Sequence, residues 1–234
     1  MTLRGLRDNA VLLHEKGRNM SDFRIKTYPV GQIGTNCYIL YREGTGKAVI
    51  ADPGDNGAYI LNMCRELSVT PEAILLTHGH FDHILAVGDI RRAFPEIKVY
   101  GGDGEKDLFT NSSLNLSSGF GSACVVPDVE YVKDGELLSL AGISFEVLFT
   151  PGHTCGSVCY LIREEEVLIS GDTLFQESLG RTDFPTGNQN QIVKSIREKL
   201  FTLPEDTLVY PGHGDKTTVG HEKVYNPVAL HYKG

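Results

Sequence analysis

Apolar and polar residues alternate over residues 23–30 and again over 36–41, and each run meets glycine at its far end. That period of two predicts a hairpin-like pair of strands, followed by a third strand at 47–51. Residues 56–67 change to helical spacing through Ile60, Leu61, Cys64 and Leu67, with Pro71 beyond the end. A short apolar strand at 73–77, a helix at 83–94 closed by Pro95 and a strand at 97–100 follow. Residues 101–128 are rich in Gly and Ser without clear periodicity and predict a short helix and a long loop. Strands are expected at 136–140, 144–150, 157–163, 166–170 and 207–210, with a helix at 189–200. Strands in both halves with helices between them, and no linker or short repeat, predict an α/β fold on two sheets or one large bent sheet.

Composition narrows the function classes. A formal charge of −8 argues against a partner recognised through a phosphate backbone, so no nucleic acid is expected. No run reaches the roughly 18–20 apolar residues of a membrane helix, so no membrane partner is expected. Residues 1–19 are mildly basic and lack the apolar core of a secretory signal. They are expected to be an N-terminal extension without fixed structure, ahead of one catalytic domain over 20–234. Cys37, Cys64, Cys124, Cys155 and Cys159 have no framework spacing, which predicts reduced thiols and a cytoplasmic location. Cys155 and Cys159, four apart on an expected strand, are read as buried small apolar residues.

The chemistry concentrates in Thr77-His78-Gly79-His80-Phe81-Asp82-His83, between an apolar strand and a helical run. Three imidazoles and a carboxylate at a strand end favour metal ligation over a buried face or a chance surface cluster. His153, Asp172 and His213 each follow a strand and a glycine-containing turn, the place where α/β proteins present their sites. Glycine lets such turns aim a short side chain. These seven nitrogen and oxygen donors exceed one tetrahedral ion and suit two ions sharing a bridge. His14, His221 and His231 fall outside these contexts and are expected at the surface.

His78-x-His80-x-Asp82-His83, with His153, Asp172 and His213 in that order, resembles the metallo-β-lactamase superfamily over about residues 23–227. The resemblance implies a four-layer αββα sandwich with a binuclear site between the sheets. It implies that His78, His80 and His153 bind a first metal, that Asp82, His83 and His213 bind a second, and that Asp172 bridges them. Asp52 matches an early aspartate that supports the ligand loop from behind, and a simple Asx turn before Gly54 is the alternative for it.

The bridging position of Asp172 argues against a true β-lactamase, and His80 against the flavodiiron branch, which carries Glu there. Gly171-Asp172-Thr173-Leu174-Phe175 and Gly180-Arg181-Thr182-Asp183-Phe184 look like the glyoxalase II and persulfide dioxygenase branches. Only 21 residues follow His213, too few for the helical domain with which two-domain glyoxalase II enzymes grip glutathione. The implied activity is hydrolysis of a small, anionic thioester by a metal-bridging hydroxide, with Asp82 or Asp172 able to hold the water's proton. Two divalent ions are expected, zinc first, with iron or manganese compatible. Arg181 either clamps a substrate carboxylate or pairs with Asp183. The rivals are a mononuclear iron persulfide dioxygenase and a lactonase or phosphodiesterase on the same two metals.

Overall fold

The computed structural model describes residues 21–121 and 123–231. The expected extension over 1–19 lies outside them. The strands are β1 (Phe23–Val30), β2 (Thr35–Arg42), β3 (Lys47–Ala51), β4 (Thr70–Leu75), β5 (Lys98–Gly102), β6 (Glu130–Val132), β7 (Leu137–Leu140), β8 (Ile143–Phe149), β9 (Val158–Ile162), β10 (Val167–Gly171), β11 (Leu174–Phe175), β12 (Ser178–Leu179), β13 (Leu208–Pro211) and β14 (Thr217–Thr218). The helices are α1 (Gly57–Glu66), α2 (Phe81–Ile84), α3 (Val87–Ala93), α4 (Lys106–Thr110), α5 (Gln189–Glu198), α6 (Val219–Tyr225) and α7 (Pro227–His231). One sheet runs β1-β2-β3-β4-β5-β6 and the other β14-β13-β10-β9-β8-β7, with β11-β12 as a small separate pair. β1 to β3 are antiparallel, whereas β3 to β6 pair in parallel, with α1 and then α2 and α3 in the crossovers.

The inner strands β2, β3, β9 and β10 are buried on both faces and read as nearly continuous apolar runs, whereas the edge strands β1 and β7 are partly exposed. On β2, Tyr38 and Leu40 join Phe145, Val147, Tyr160 and Ile169 in the core between the sheets. Their neighbours Cys37 and Ile39 face the other way, against Ile60 and Cys64 of α1 and Val87 and Ile90 of α3. On the far side, Leu161, Leu168 and Val209 pack under Ile192 and Ile196 of α5. The result is the expected four-layer αββα sandwich. Each fully buried Leu, Ile or Phe adds roughly 1.5–3 kcal/mol, so the three apolar layers are the main cohesive term.

Several expectations need correction. The helix expected over 83–94 is two, α2 and α3, because the Ala86 N–H donates to Pro53 O at 3.0 Å rather than to a carbonyl one turn earlier. The strand expected from residue 73 begins at Thr70, where Thr70 N–H donates to Gly46 O and a register shift accommodates Pro71. Cys155 and Cys159 do not share a strand: β9 starts at Val158, so Cys159 is buried while Cys155 is exposed in the preceding turn. β6, α6 and α7 were not expected: β6 is three residues paired with β5, some thirty residues earlier, and α6 and α7 are short helices packed on each other.

Candidate metal centre

The seven expected donors meet at one end of the sandwich. His78 and His80 lie in the loop after β4, and Asp82 and His83 on the first turn of α2. His153, Asp172 and His213 follow β8, β10 and β13. The turns differ in why they need glycine. Gly152 and Gly171 have positive φ, +139° and +49°. Gly212 is there for space, since a Cβ on it would stand 2.1 Å from Asp172 Oδ1.

Three donor groups converge with all their ligand atoms within 4.8 Å: His78, His80 and His153; His78, His83 and Asp172; and Asp82, His83 and His213. His80 Nδ1 and His153 Nε2 are 2.9 Å apart. Asp172 sits between the outer trios, with Oδ1 3.4 Å from His83 Nε2 and Oδ2 3.6 Å from both His153 Nε2 and His213 Nε2. Asp82 Oδ2 lies 3.2 Å from His213 Nε2 and 3.4 Å from His83 Nε2. Ligands about 2.0–2.1 Å from a tetrahedral ion stand roughly 3.3–3.5 Å from one another, so these spacings are those of a coordination shell. The buried atoms His78 Nε2, His80 Nε2, both ring nitrogens of His83 and Asp172 Oδ1 have no hydrogen-bond partner among the described residues. Orphaned donors of this kind are costly unless a cation takes them up, and the residues present therefore fit divalent ions.

The opposite edges of the imidazoles are held. His153 Nδ1 donates to Arg181 O at 2.7 Å. Asp52, fully buried, accepts from Thr77 N–H at 2.8 Å and Thr77 Oγ1 at 2.7 Å, and its Oδ2 lies 3.0 Å from His83 Nδ1. Thr77 Oγ1 is also 3.1 Å from His78 Nδ1. Since the hydroxyl gives its hydrogen to Asp52, it accepts from His78 and leaves Nε2 bare toward the cluster. Asp52 thus reaches beyond a local Asx turn, to Thr77 and His83 of the donor segment. Burial first, and then His153, push the His80 imidazole down to about 3. Burial and the rings of His83, His153 and His80 likewise hold His78 well below its ordinary value, so both stay neutral and able to ligate. Burial opposes the charge of Asp82, but His83 and His213 outweigh it and keep the carboxyl ionised.

Sequence reading missed further parts. Thr35 Oγ1 donates to Asp82 Oδ2 at 2.7 Å. Asn36 Nδ2 donates to Pro211 O at 3.0 Å and Gly214 O at 2.9 Å, fastening the His213 turn to the other sheet. Polar residues opening a strand were the available signal. The cluster opens into a cleft of about 690 Å³ whose walls include Phe81, Leu116, Phe120, Phe175, Leu179 and Phe184. Phe81 and Phe120 stack at 4.2 Å. Arg181 lines this cleft, but its Nε and Nη2 each donate to Asp183 at 2.7 Å and its Cζ lies 3.9 Å over the Phe184 ring. Of the two expectations for Arg181, the pairing with Asp183 is the one present. His221 is half-buried with Nε2 3.0 Å from Glu177, His231 is exposed, and His14 lies outside the described residues.

Comparison with known proteins agrees with this geometry. A probable metallo-hydrolase YqgX of Bacillus subtilis (strain 168) is 44% identical over 202 residues, 85% of this chain and 94% of that one. A hydroxyacylglutathione hydrolase GloC of Haemophilus influenzae is 37% identical over 207 residues, 87% and 96% of the two chains. Among solved structures, a B3 metallo-beta-lactamase, BLEG-1, superposes with TM-score 0.83 at 40% identity, covering 88% of this chain and 99% of that one. TTHA1623 in a di-iron-bound form gives 0.76 at 33% over 86% and 98%. ETHE1 from Myxococcus xanthus gives 0.73 at 33% over 88% and 85%. With residues 30–213 matched by the family profile, the chain belongs to the metallo-beta-lactamase superfamily.

Proposed function

We propose that the protein is a binuclear metallo-hydrolase that cleaves a small thioester, in the manner of a hydroxyacylglutathione hydrolase. The observation that carries this reading is the pair of complete donor trios on either side of Asp172. His78, His80 and His153 would hold one ion, Asp82, His83 and His213 the other, and Asp172 would bridge them. Divalent ions bound there supply a water of lowered pKa and a Lewis acid for a carbonyl oxygen. Mixed imidazole and carboxylate donors accommodate zinc, iron or manganese. The chain's own contribution is orientation: Thr35 holds Asp82, Asp52 holds His83 and Thr77, and Arg181 O holds His153. The aromatic walls of the cleft exclude bulk water around the scissile group. Asp82 or Asp172, both set among the imidazoles, would hold the water's proton.

The likeness to the GloC relative supports a thioester, and the likeness to the B3 metallo-beta-lactamase requires that an amide be tested beside it. A single-iron persulfide dioxygenase would leave Asp82, His83 and His213 without an ion, and their convergence favours the two-ion reading. Among the described residues no helix is long and apolar enough to cross a membrane. The test is metal content by mass spectrometry together with turnover of thioesters, lactones, phosphodiesters, a β-lactam and a persulfide by one preparation. Two ions per chain and thioester turnover at least tenfold above the other classes are expected, with Asp172→Ala losing both. One iron per chain with oxygen uptake on the persulfide would overturn the proposal.

A further inference from the structure

Glu105 is a fully buried carboxylate outside the seven-donor set, in the turn after β5. Its Oε2 accepts from Gly79 N–H at 2.7 Å, and its Oε1 from Gly156 N–H at 2.8 Å. Gly79 lies between His78 and His80, and Gly156 lies three residues after His153. The Thr154 hydroxyl, next to His153 itself and 2.5 Å from Ser157 Oγ, favours the charged form of the same carboxylate against the upward push of burial. One carboxylate therefore spans the two loops that carry His78, His80 and His153. The approach is close: a Cβ on Gly156 would stand 2.3 Å from the Gly104 carbonyl carbon.

A buried carboxylate is costly unless every oxygen is satisfied, and here the satisfying groups are backbone N–H donors of ligand loops. An ionised carboxylate accepts at both oxygens, whereas an amide of the same shape accepts at one and donates at the other. Glutamine at this position can serve one loop but not both. The other trio is anchored by different groups: Asp82 by Thr35, His83 by Asp52, and the His213 turn by Asn36.

We infer that Glu105 is a positioning residue that sets the separation of the two loops and so the affinity of the His78, His80 and His153 site, without touching substrate. The inference rests on the proposed assignment of those three imidazoles to one ion. It is tested by stripping the full-length protein of metal and titrating cobalt(II), read both by its ligand-field spectrum and by competition with a chromophoric chelator. Wild type is expected to take up two ions. Glu105→Gln is expected to keep one affinity and lose roughly 10–100-fold in the other, the usual effect of removing an outer support. Ile60→Ala, a buried residue of α1 away from the site, is the stability control and is expected to keep both affinities. Thr154→Val, which removes only the hydroxyl, is expected to weaken the same ion to a smaller degree and replaces Glu105→Gln should that variant not fold. Unchanged affinities in the Glu105 and Thr154 variants, equal loss at both sites, or the same loss in Ile60→Ala would overturn the inference alone. A wild-type chain that binds no cobalt would overturn the site assignment and the inference with it.

Discussion

An imidazole in this cluster is useful only when one ring nitrogen is bare toward the ion and the other carries the proton toward a fixed acceptor. Arg181 O and Thr77 Oγ1 are those acceptors for His153 and His78, while Asp52 Oδ2 stands 3.0 Å from His83 Nδ1 as its charged neighbour. The convergent donors were legible from residue type and spacing. Their supports were less so, because a backbone carbonyl or a threonine hydroxyl leaves no signature in a sequence. Asp52 is the most exposed to test: Asp52→Ala removes the acceptor for Thr77 and the neighbour of His83 together. A loss of roughly 10–100-fold in metal affinity is expected. A chelator-competition titration that finds wild-type affinity would refute the supporting role.

At the scale of elements, the His153 turn is held by the helix that follows it. α5 begins directly over the His153 turn, where Asn188 N–H donates to Gly152 O at 2.7 Å. Its side chain separately caps the helix, accepting from Gln191 N–H at 3.1 Å. The two roles use different atoms, so Asn188→Ala is expected to cost about 1 kcal/mol of stability through the lost cap. The backbone bond to Gly152 persists, and the number of bound ions should not change. Urea unfolding and metal analysis of the same variant check both halves of that statement. Periodicity located α5 and the long strands correctly. It joined α2 to α3 because the break is caused by Pro53, thirty-three residues before Ala86, and no local pattern records that contact.

For the whole molecule, the centre lies where the two sheets meet, with His78, His80, Asp82 and His83 from the first and His153, Asp172 and His213 from the second. Bound ions would therefore fasten the halves together, as well as neutralise carboxylates in a chain of formal charge −8. A ligand present at about 1,000 times its Kd adds about 4 kcal/mol to the folded state. For a domain of this size 1 kcal/mol moves Tm by roughly 2–4 °C. Chelation is thus expected to lower Tm by roughly 8–16 °C, reversibly on returning the metal, in a differential scanning measurement. A Tm indifferent to chelation would mean that the centre carries no tightly held ion.

The sequence by itself determined the set of candidate donors, since a dense run of histidines and aspartates at strand ends has few other uses. Its patterning determined an α/β class while leaving two sheets or one bent sheet open, the four-layer sandwich being what the family resemblance implied. Tertiary structure alone decided what those residues touch. It brought Thr35 to Asp82 and Glu105 to two ligand loops, lined the cleft with Phe81 and Phe120, and paired Arg181 with Asp183. These contacts join residues from separate elements or depend on side-chain direction, and local spacing carries neither kind of information.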